Sequence, residues 1–238
     1  TGQESASVFY GGLYKNVAEA SQLVVPIDPW FNIWVLNQSD TTADQYTLEI
    51  TLREDLDGNG WTNDSEDSIR LDTVFTSTDF DDQWTLVSAP LSAFSNLGTG
   101  GNGTFDGKLD EVVIVIAGVR GADGTKDIEV DFDYIALTSG GPLDTDADGV
   151  DDGNDAFQNS NLDPTVVIDG VDSGIVNQVL PNGASFNDLI GQAAAEASNH
   201  GKFLKTVSAL SNGWKKAGLI SSRDKGKITS TAAHAIRP

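Results

Sequence analysis

Apolar and polar residues alternate through much of the first 140 positions, which is the spacing of half-buried β-strands. In residues 46–52 (YTLEITL), every second side chain is apolar. Residues 112–116 are apolar on both faces, so we expect a central strand there. Several short strands without a helical pattern among them favour an antiparallel β-sandwich. The further predicted strands are residues 31–37, 68–75, 84–91, 111–119 and 127–137.

The pattern changes near the C-terminus, where Ala, Leu and Lys become frequent. Ser185 with Asp188, and Ser221 with Asp224, each place a hydroxyl three residues before a carboxylate, which predicts two helix starts. Gly218 is a predicted stop for the helix between them. We therefore expect two or three short helices, one of which carries Phe203, Leu204, Val207, Leu210 and Trp214.

Composition divides the chain into three predicted parts: a β-sandwich at residues 1–140, a linker at residues 141–165 and a small helical region at residues 166–238. The linker is rich in Gly, Pro, Asp and Asn. Acidic residues dominate the first two parts, whereas Lys and Arg are concentrated in the third. The fold class predicted for the whole chain is mainly β with a small α-helical C-terminal region.

The net charge of -22 excludes some classes of partner. It argues against nucleic acid and anionic membrane surfaces and favours cations or neutral ligands. No apolar run is long enough for a membrane span. Cysteine is absent, so disulfides and thiolate metal sites are excluded. Methionine is absent too, so we expect that Thr1 is not a start site and that the chain is processed or a fragment.

Residues 55–66 (DLDGNGWTNDSE) carry oxygen side chains at loop positions 1, 3, 5, 9 and 12, with Gly60 at position 6. This is the pattern of a twelve-residue calcium loop, because Ca²⁺ takes six to eight oxygen ligands and glycine permits the sharp turn. The predicted ligands are Asp55, Asp57, Asn59, the carbonyl of Trp61, Asn63 and Glu66.

Residues 144–155 (DTDADGVDDGND) repeat the pattern, again with glycine at the sixth position, Gly149. So many carboxylates in one short loop repel one another unless a divalent ion neutralises them. The sequence therefore predicts structural Ca²⁺ as a cofactor. The predicted ligands are Asp144, Asp146, Asp148, the carbonyl of Val150, Asp152 and Asp155.

An alternative interpretation of both loops is a solvated turn without metal, since Asp and Asn favour turns through local hydrogen bonds. A calcium switch is disfavoured, because the eighth positions, Thr62 and Asp151, are polar where paired EF-hands carry an apolar residue. The first loop also follows a predicted strand and not a helix.

Two resemblances add to this picture. Residues 81–94 (DDQWTLVSAPLSAF) and 128–140 (IEVDFDYIALTSG) resemble two strands of jelly-roll carbohydrate-binding modules, and residues 1–140 as a whole are similar to galactose-binding-like domains of secreted proteins. The resemblance implies a jelly roll with Trp84 in a core position. It also implies a strand before residues 6–14, whose absence here would leave a sheet edge open.

Residues 144–165 resemble a thrombospondin type 3 repeat of secreted proteins. Residues 166–174 (VVIDGVDSG) retain only Asp169 and Asp172 of a further repeat, which we interpret as degraded. Both resemblances imply an extracellular or cell-surface location.

Sugar recognition usually needs aromatic faces beside polar groups. The candidate ligand-binding residues are Tyr10, Tyr14, Trp34 and Trp61, with Trp30 as a further aromatic. A core position is the alternative for Trp34, because its strand is apolar.

The sequence carries no nucleophile elbow, zinc motif or phosphate-binding loop, and both histidines, His200 and His234, lie in the helical region. We therefore predict that the protein is not an enzyme. The predicted function is a secreted or surface calcium-binding module that binds a polysaccharide or glycoconjugate. The alternatives are a matrix, adhesin or filament subunit that assembles with copies of itself through the open sheet edge and the helical tail, and an accessory fragment of a larger glycoside-degrading enzyme.

Overall fold

The computed structural model describes residues 8–16, 23–38, 45–55, 67–76, 83–97, 104–105, 108–119 and 129–235. The chain is mainly β, with antiparallel sheets and three helices near the C-terminus. It divides into two compact units, residues 1–143 and residues 144–238. The finer three-part division stays a prediction.

The first unit contains all six strands that alternation predicts, each within a few residues of its expected bounds. The described part of this unit also contains three further strands and a turn of 3-10 helix at Leu91–Ala93. The strands are β1 (Val8–Asn16), β2 (Leu23–Val24), β3 (Pro29–Asn37), β4 (Gln45–Asp55), β5 (Ser68–Thr76), β6 (Thr85–Pro90), β7 (Ser95–Asn96), β8 (Lys108–Val119) and β9 (Val130–Ser139).

These strands form two sheets. One has the order β1-β8-β4-β5-β7, with β2 also paired to β8, and the other has the order β6-β3-β9. The predicted central position of residues 112–116 is confirmed, because β8 pairs with both β1 and β4. Both sheets contribute to one hydrophobic core, whose fully buried side chains include Phe31, Ile33, Val35, Leu48, Ile50 and Leu52.

Trp84 is not a core residue, and the expectation taken from the resemblance is wrong at this position. Its side chain is 45% exposed. Trp84 immediately precedes β6, in which Val87 and Ala89 pack towards the core. Strand alternation places Trp84 with Leu86 on the opposite face, which explains the exposure.

Asn32 is fully buried although it lies on the face of β3 that points away from the core. Its Oδ1 accepts hydrogen bonds from Ser88 Oγ (2.6 Å) and from the backbone N–H of Leu143 (2.9 Å). Its Nδ2 donates to Thr138 Oγ1 (2.9 Å). One side chain thereby ties β6, β9 and the end of the first unit to β3.

The second unit combines a hairpin with three helices. The elements are β10 (Thr165–Ile168), β11 (Val171–Val176), α1 (Phe186–Glu196), α2 (His200–Lys216) and α3 (Ser222–His234). The segment interpreted as a degraded repeat, residues 166–174, instead forms most of the hairpin. Asp169 (φ 52°) and Gly170 (φ 77°) supply the left-handed turn, so the Asp-Gly pair explains the reversal.

The predicted helix boundaries are confirmed. Ser185 and Ser221 each form a capping box with the aspartate three residues on, at the starts of α1 and α3. After α2, Gly218 adopts φ 78°, and Leu219 N–H donates to Trp214 O (2.9 Å), which closes the helix end.

The second unit has a hydrophobic core of its own. Phe186 of α1 stacks on Trp214 of α2 with ring centroids 3.9 Å apart. The hairpin supplies Val166, Ile168 and Ile175 to the same core. Because α1 and the hairpin share this core, any constraint on the chain entering α1 bears on the packing of the whole unit.

We expect Asn32→Ala to lower the free energy of unfolding of the first unit by about 2 kcal/mol, because Ser88 and Leu143 would be left with buried, unpaired donors. Urea denaturation of the variant and of the control Ser92→Ala, at an exposed position of the same unit, measures this. Equal stability of the two variants would contradict the role assigned to Asn32.

Candidate metal centre

Three aspartates converge in residues 144–155. Asp144, Asp146 and Asp148 each offer a carboxylate oxygen, and these oxygens all lie within 4.8 Å of one another. The three residues are half-buried. Such a group can hold a metal ion, and a carboxylate set favours a hard cation.

Each of these aspartates uses one carboxylate oxygen to fold the loop. Asp144 Oδ2 accepts from Gly149 N–H (3.0 Å), Asp146 Oδ1 from Asp148 N–H (3.2 Å) and Asp148 Oδ1 from Val150 N–H (2.7 Å). Gly149 adopts φ 95°, the conformation for which glycine is needed at the sixth position. The backbone hydrogen bonds fix the direction in which the second oxygen of each carboxylate points.

The remaining oxygens carry the strongest indication of a missing ligand. Asp144 Oδ1, Asp148 Oδ2 and Asp155 Oδ2 are buried, and none has a hydrogen-bond partner within the part of the chain that the structure describes. A buried carboxylate oxygen without a donor is costly, and native proteins usually satisfy such atoms. A cation bound among Asp144, Asp146 and Asp148 would satisfy the first two of these oxygens, and the carboxylate of Asp155 is suited to be a further ligand.

Electrostatics supports the same conclusion. Burial raises the pKa of Asp148 and that of Asp155 above the usual range of aspartate. A backbone N–H partly offsets the shift at each residue, and the negative charges of Asp144 and Asp146 add to it. Without a cation, the folded loop therefore disfavours the ionised form of these two carboxyl groups.

Asp155 is joined to the loop by the chain that follows it. Its Oδ1 accepts from Phe157 N–H (2.6 Å), while the Ser160 N–H donates to Asp146 Oδ2 (2.5 Å). Residues 157–160 thus fold back over the aspartates. The contribution of Ser160 was not predicted, because it lies outside the twelve-residue pattern.

Asp152 has a role that loop spacing does not predict. Its Oδ1 accepts from Thr145 N–H (2.7 Å) and its Oδ2 from Thr145 Oγ1 (2.6 Å), and the residue is only 5% exposed. The pair closes the two ends of the loop against each other. The predicted metal-ligand roles of Asp152 and of the Val150 carbonyl stay predictions.

The first predicted calcium loop lies largely outside the described residues. Asp55 is the last residue of β4, and residues 56–66 are not described, so the ligand roles of Asp57, Asn59, Trp61, Asn63 and Glu66 stay predictions. The strand ends that flank the loop are held together, because Glu54 N–H donates to Asp67 O (3.1 Å).

Among the candidate sugar-binding aromatic residues, only some have side chains that the structure describes. Tyr10 and Tyr14 lie in β1, and their side chains are outside the described parts. Trp34 is half-buried on the face of β3 that points away from the core, where its neighbours across the sheet are Leu86 and Asp133. Trp84, which sequence reasoning assigned to the core, is exposed beside the same face.

No family model, curated protein or solved structure matches this chain. In the described part, none of the helices has the length and apolar character needed to cross a membrane.

We expect Asp148→Asn to stabilise the cation-free protein at neutral pH, because it removes a desolvated charge that neighbouring aspartates repel. Calorimetry in excess chelator should show a higher melting temperature than for wild type. Since protonation removes the same charge, the advantage should shrink as the pH falls through the raised pKa of Asp148.

The exposed Asp163→Asn is the matched control for that experiment, because it removes one negative charge outside the loop. If both variants shift the melting temperature equally, general charge reduction and not the loop accounts for the effect.

Proposed function

We propose that this protein is a calcium-stabilised, non-catalytic extracellular module, in which residues 144–155 bind one structural Ca²⁺. The observation that carries the proposal is the set of three buried, unpartnered carboxylate oxygens of Asp144, Asp148 and Asp155. Asp144 and Asp148 belong, with Asp146, to the group whose oxygens lie within 4.8 Å of one another, which supports one shared ion. Asp155 is close enough that the charges of Asp144 and Asp146 raise its pKa, which makes it a candidate fourth ligand.

The chemistry of the ligands favours calcium. Asp144, Asp146, Asp148 and Asp155 offer only hard oxygens, to which the Val150 carbonyl would add a fifth ligand and water would add the rest. Zinc and copper prefer nitrogen or sulfur ligands, whereas Ca²⁺ takes six to eight oxygens in flexible geometry. The strong negative charge of the protein further favours cation uptake.

Calcium should stabilise the protein, because an ion that binds only the folded state adds to the free energy of unfolding. The gain is about 3 kcal/mol when free Ca²⁺ is a hundredfold above its dissociation constant. Asp144→Asn should lose most of this gain, because it removes the charge of a carboxylate whose buried Oδ1 has no described hydrogen-bond partner. The titration should also show one calcium site fewer than for wild type. Differential scanning and isothermal titration calorimetry measure both quantities.

The matched control, Asp163→Asn, should retain the full calcium response, and residues 55–66 are unchanged in both variants. Wild-type protein whose melting temperature does not respond to millimolar Ca²⁺ would overturn the proposed calcium site.

For the first unit, we propose a jelly-roll β-sandwich that binds carbohydrate. The support is the outward face of the β6-β3-β9 sheet, on which half-buried Trp34 is paired with Asp133 of β9. Exposed Trp84 lies beside this face, just before β6. Aromatic faces pack against the CH groups of a sugar ring, and a nearby carboxylate accepts hydrogen bonds from its hydroxyl groups. The core side of this sheet is filled, so a ligand would bind on its outward face, beside which Trp84 is exposed among the described residues.

Trp84→Ala should reduce retention on polysaccharide affinity gels about tenfold or more if Trp84 stacks on the sugar, because a lost stacking contact is worth about 1–2 kcal/mol. Leu97→Ala is the control, since Leu97 is similarly exposed but follows β7 in the other sheet. Equal retention of the two variants, or no retention of wild type on a broad polysaccharide panel, would argue against this ligand.

The alternative is a matrix, adhesin or filament subunit. It is favoured by β1, which pairs with β8 and, among the described residues, with no other strand. A strand of another chain could extend the sheet there. The Lys-rich helices would add attraction between copies, because the rest of the chain is strongly acidic. Concentration-dependent, salt-sensitive oligomers on a sizing column, without polysaccharide binding, would select this function.

A further inference from the structure

The turn formed by residues 180–184, here called the metal-facing turn, lies directly before α1. Leu180 N–H donates to Ala184 O and Gly183 N–H donates to Leu180 O, both at 2.9 Å. The next residue, Ser185, is the N-cap of α1. The turn is therefore well ordered by its own hydrogen bonds, and its position determines where the chain enters the helix.

Gly183 in this turn lies against the carboxylate of Asp155. A Cβ atom built at Gly183 would overlap Asp155 Oδ1 and Cγ, so no other residue fits without displacing the carboxylate. Gly183 also adopts φ 82°, which glycine tolerates best. Phe157 N–H donates to the same oxygen, Oδ1, which leaves Oδ2 for a cation.

Three hydrogen bonds join the metal loop and its continuation to the turn and to α1. Ala156 N–H donates to Asn182 O (2.9 Å), and Ser160 Oγ donates to Gly183 O (2.7 Å). Asn161 N–H donates to Oδ1 of Asp188, whose Oδ2 completes the capping box of α1. Ser160 is a shared element, because its backbone N–H also binds Asp146.

We propose that Gly183 is a positioning residue of the metal centre, and that the metal-facing turn is the wall that holds Asp155 in its ligating orientation. The inference rests on the proposed calcium site and extends it. Since the same turn leads into Ser185 and Phe186, cation binding and the docking of α1 on the core form one cooperative event. Removal of Ca²⁺ then loosens the start of α1 before it affects α3.

Gly183→Ala tests this inference in the full chain. The added methyl group should displace Asp155, and we expect the calcium dissociation constant to rise at least about tenfold in isothermal titration calorimetry. The matched control is Gly218→Ala. Gly218 has a similar φ of 78°, but a Cβ there would meet nothing within 4 Å, so it reproduces the backbone strain without the contact.

The two glycine variants separate strain from positioning. Both should lower the melting temperature in chelator, but only Gly183→Ala should lose calcium affinity. Equal calcium affinity of Gly183→Ala and Gly218→Ala would overturn the inference while leaving the proposed function intact. If wild type binds no Ca²⁺ at residues 144–155, the proposed function itself fails.

Ser160→Ala provides a second test that does not depend on a strained backbone. It removes the Oγ hydrogen bonds to Phe157 O and Gly183 O but no predicted ligand. We expect a severalfold loss of calcium affinity. Ser211→Ala is the control, because it removes a comparable bond from a side chain to the backbone, to Ser208 O, within α2. Unchanged affinity of Ser160→Ala would contradict the coupling.

Hydrogen exchange measured by mass spectrometry reads the coupling directly. In wild type, chelator should increase exchange in peptides covering residues 180–190 more than in peptides covering residues 222–234. In Gly183→Ala, calcium should restore less protection to the first peptide than it does in wild type. Uniform changes in both peptides would mean that the ion stabilises the unit only globally, and would overturn the positioning role.

Discussion

The convergence of carboxylates in residues 144–155 is the constraint on which the second unit depends. Asp144, Asp146 and Asp148 bring oxygens within 4.8 Å, and three buried oxygens in this loop have no described partner. Like charges so close together oppose folding unless a cation lies among them. The loop can hold a metal ion among these aspartates, and under the proposed function that ion would offset their repulsion.

The loop can hold this arrangement because the two oxygens of Asp144 and of Asp148 have different tasks, whereas both oxygens of Asp146 accept backbone hydrogen bonds. One oxygen accepts a backbone hydrogen bond that folds the loop, as at Asp144 and Asp148, and the other remains for the cation. Asp152 has only the first task in the structure, since Thr145 engages both of its oxygens. The same division extends to Asp155, whose second oxygen is directed by Phe157 and Gly183.

The first unit depends on a different interaction, namely the packing of two antiparallel sheets around an apolar core. The buried face of β3 supplies Phe31, Ile33 and Val35, which leaves its other face for polar and aromatic side chains. Asn32 joins part of that face to Ser88, Thr138 and Leu143 by hydrogen bonds, whereas Trp84 is exposed beside another part of it.

The sequence alone determined the features that arise between near neighbours. Alternation identified β3, β4 and β8, hydroxyl and carboxylate spacing identified the starts of α1 and α3, and oxygen spacing identified the aspartate loop. The Asp-Gly turn of the β10–β11 hairpin is also a local feature of the sequence. It was not predicted, because residues 166–174 were interpreted as a degraded repeat.

Only the tertiary structure decided the exposure of Trp84, the pairing of Asp152 with Thr145 and the contact between Gly183 and Asp155. The residues in these contacts are spaced along the sequence without any strand or helix repeat. Only the path of the folded chain brings them together.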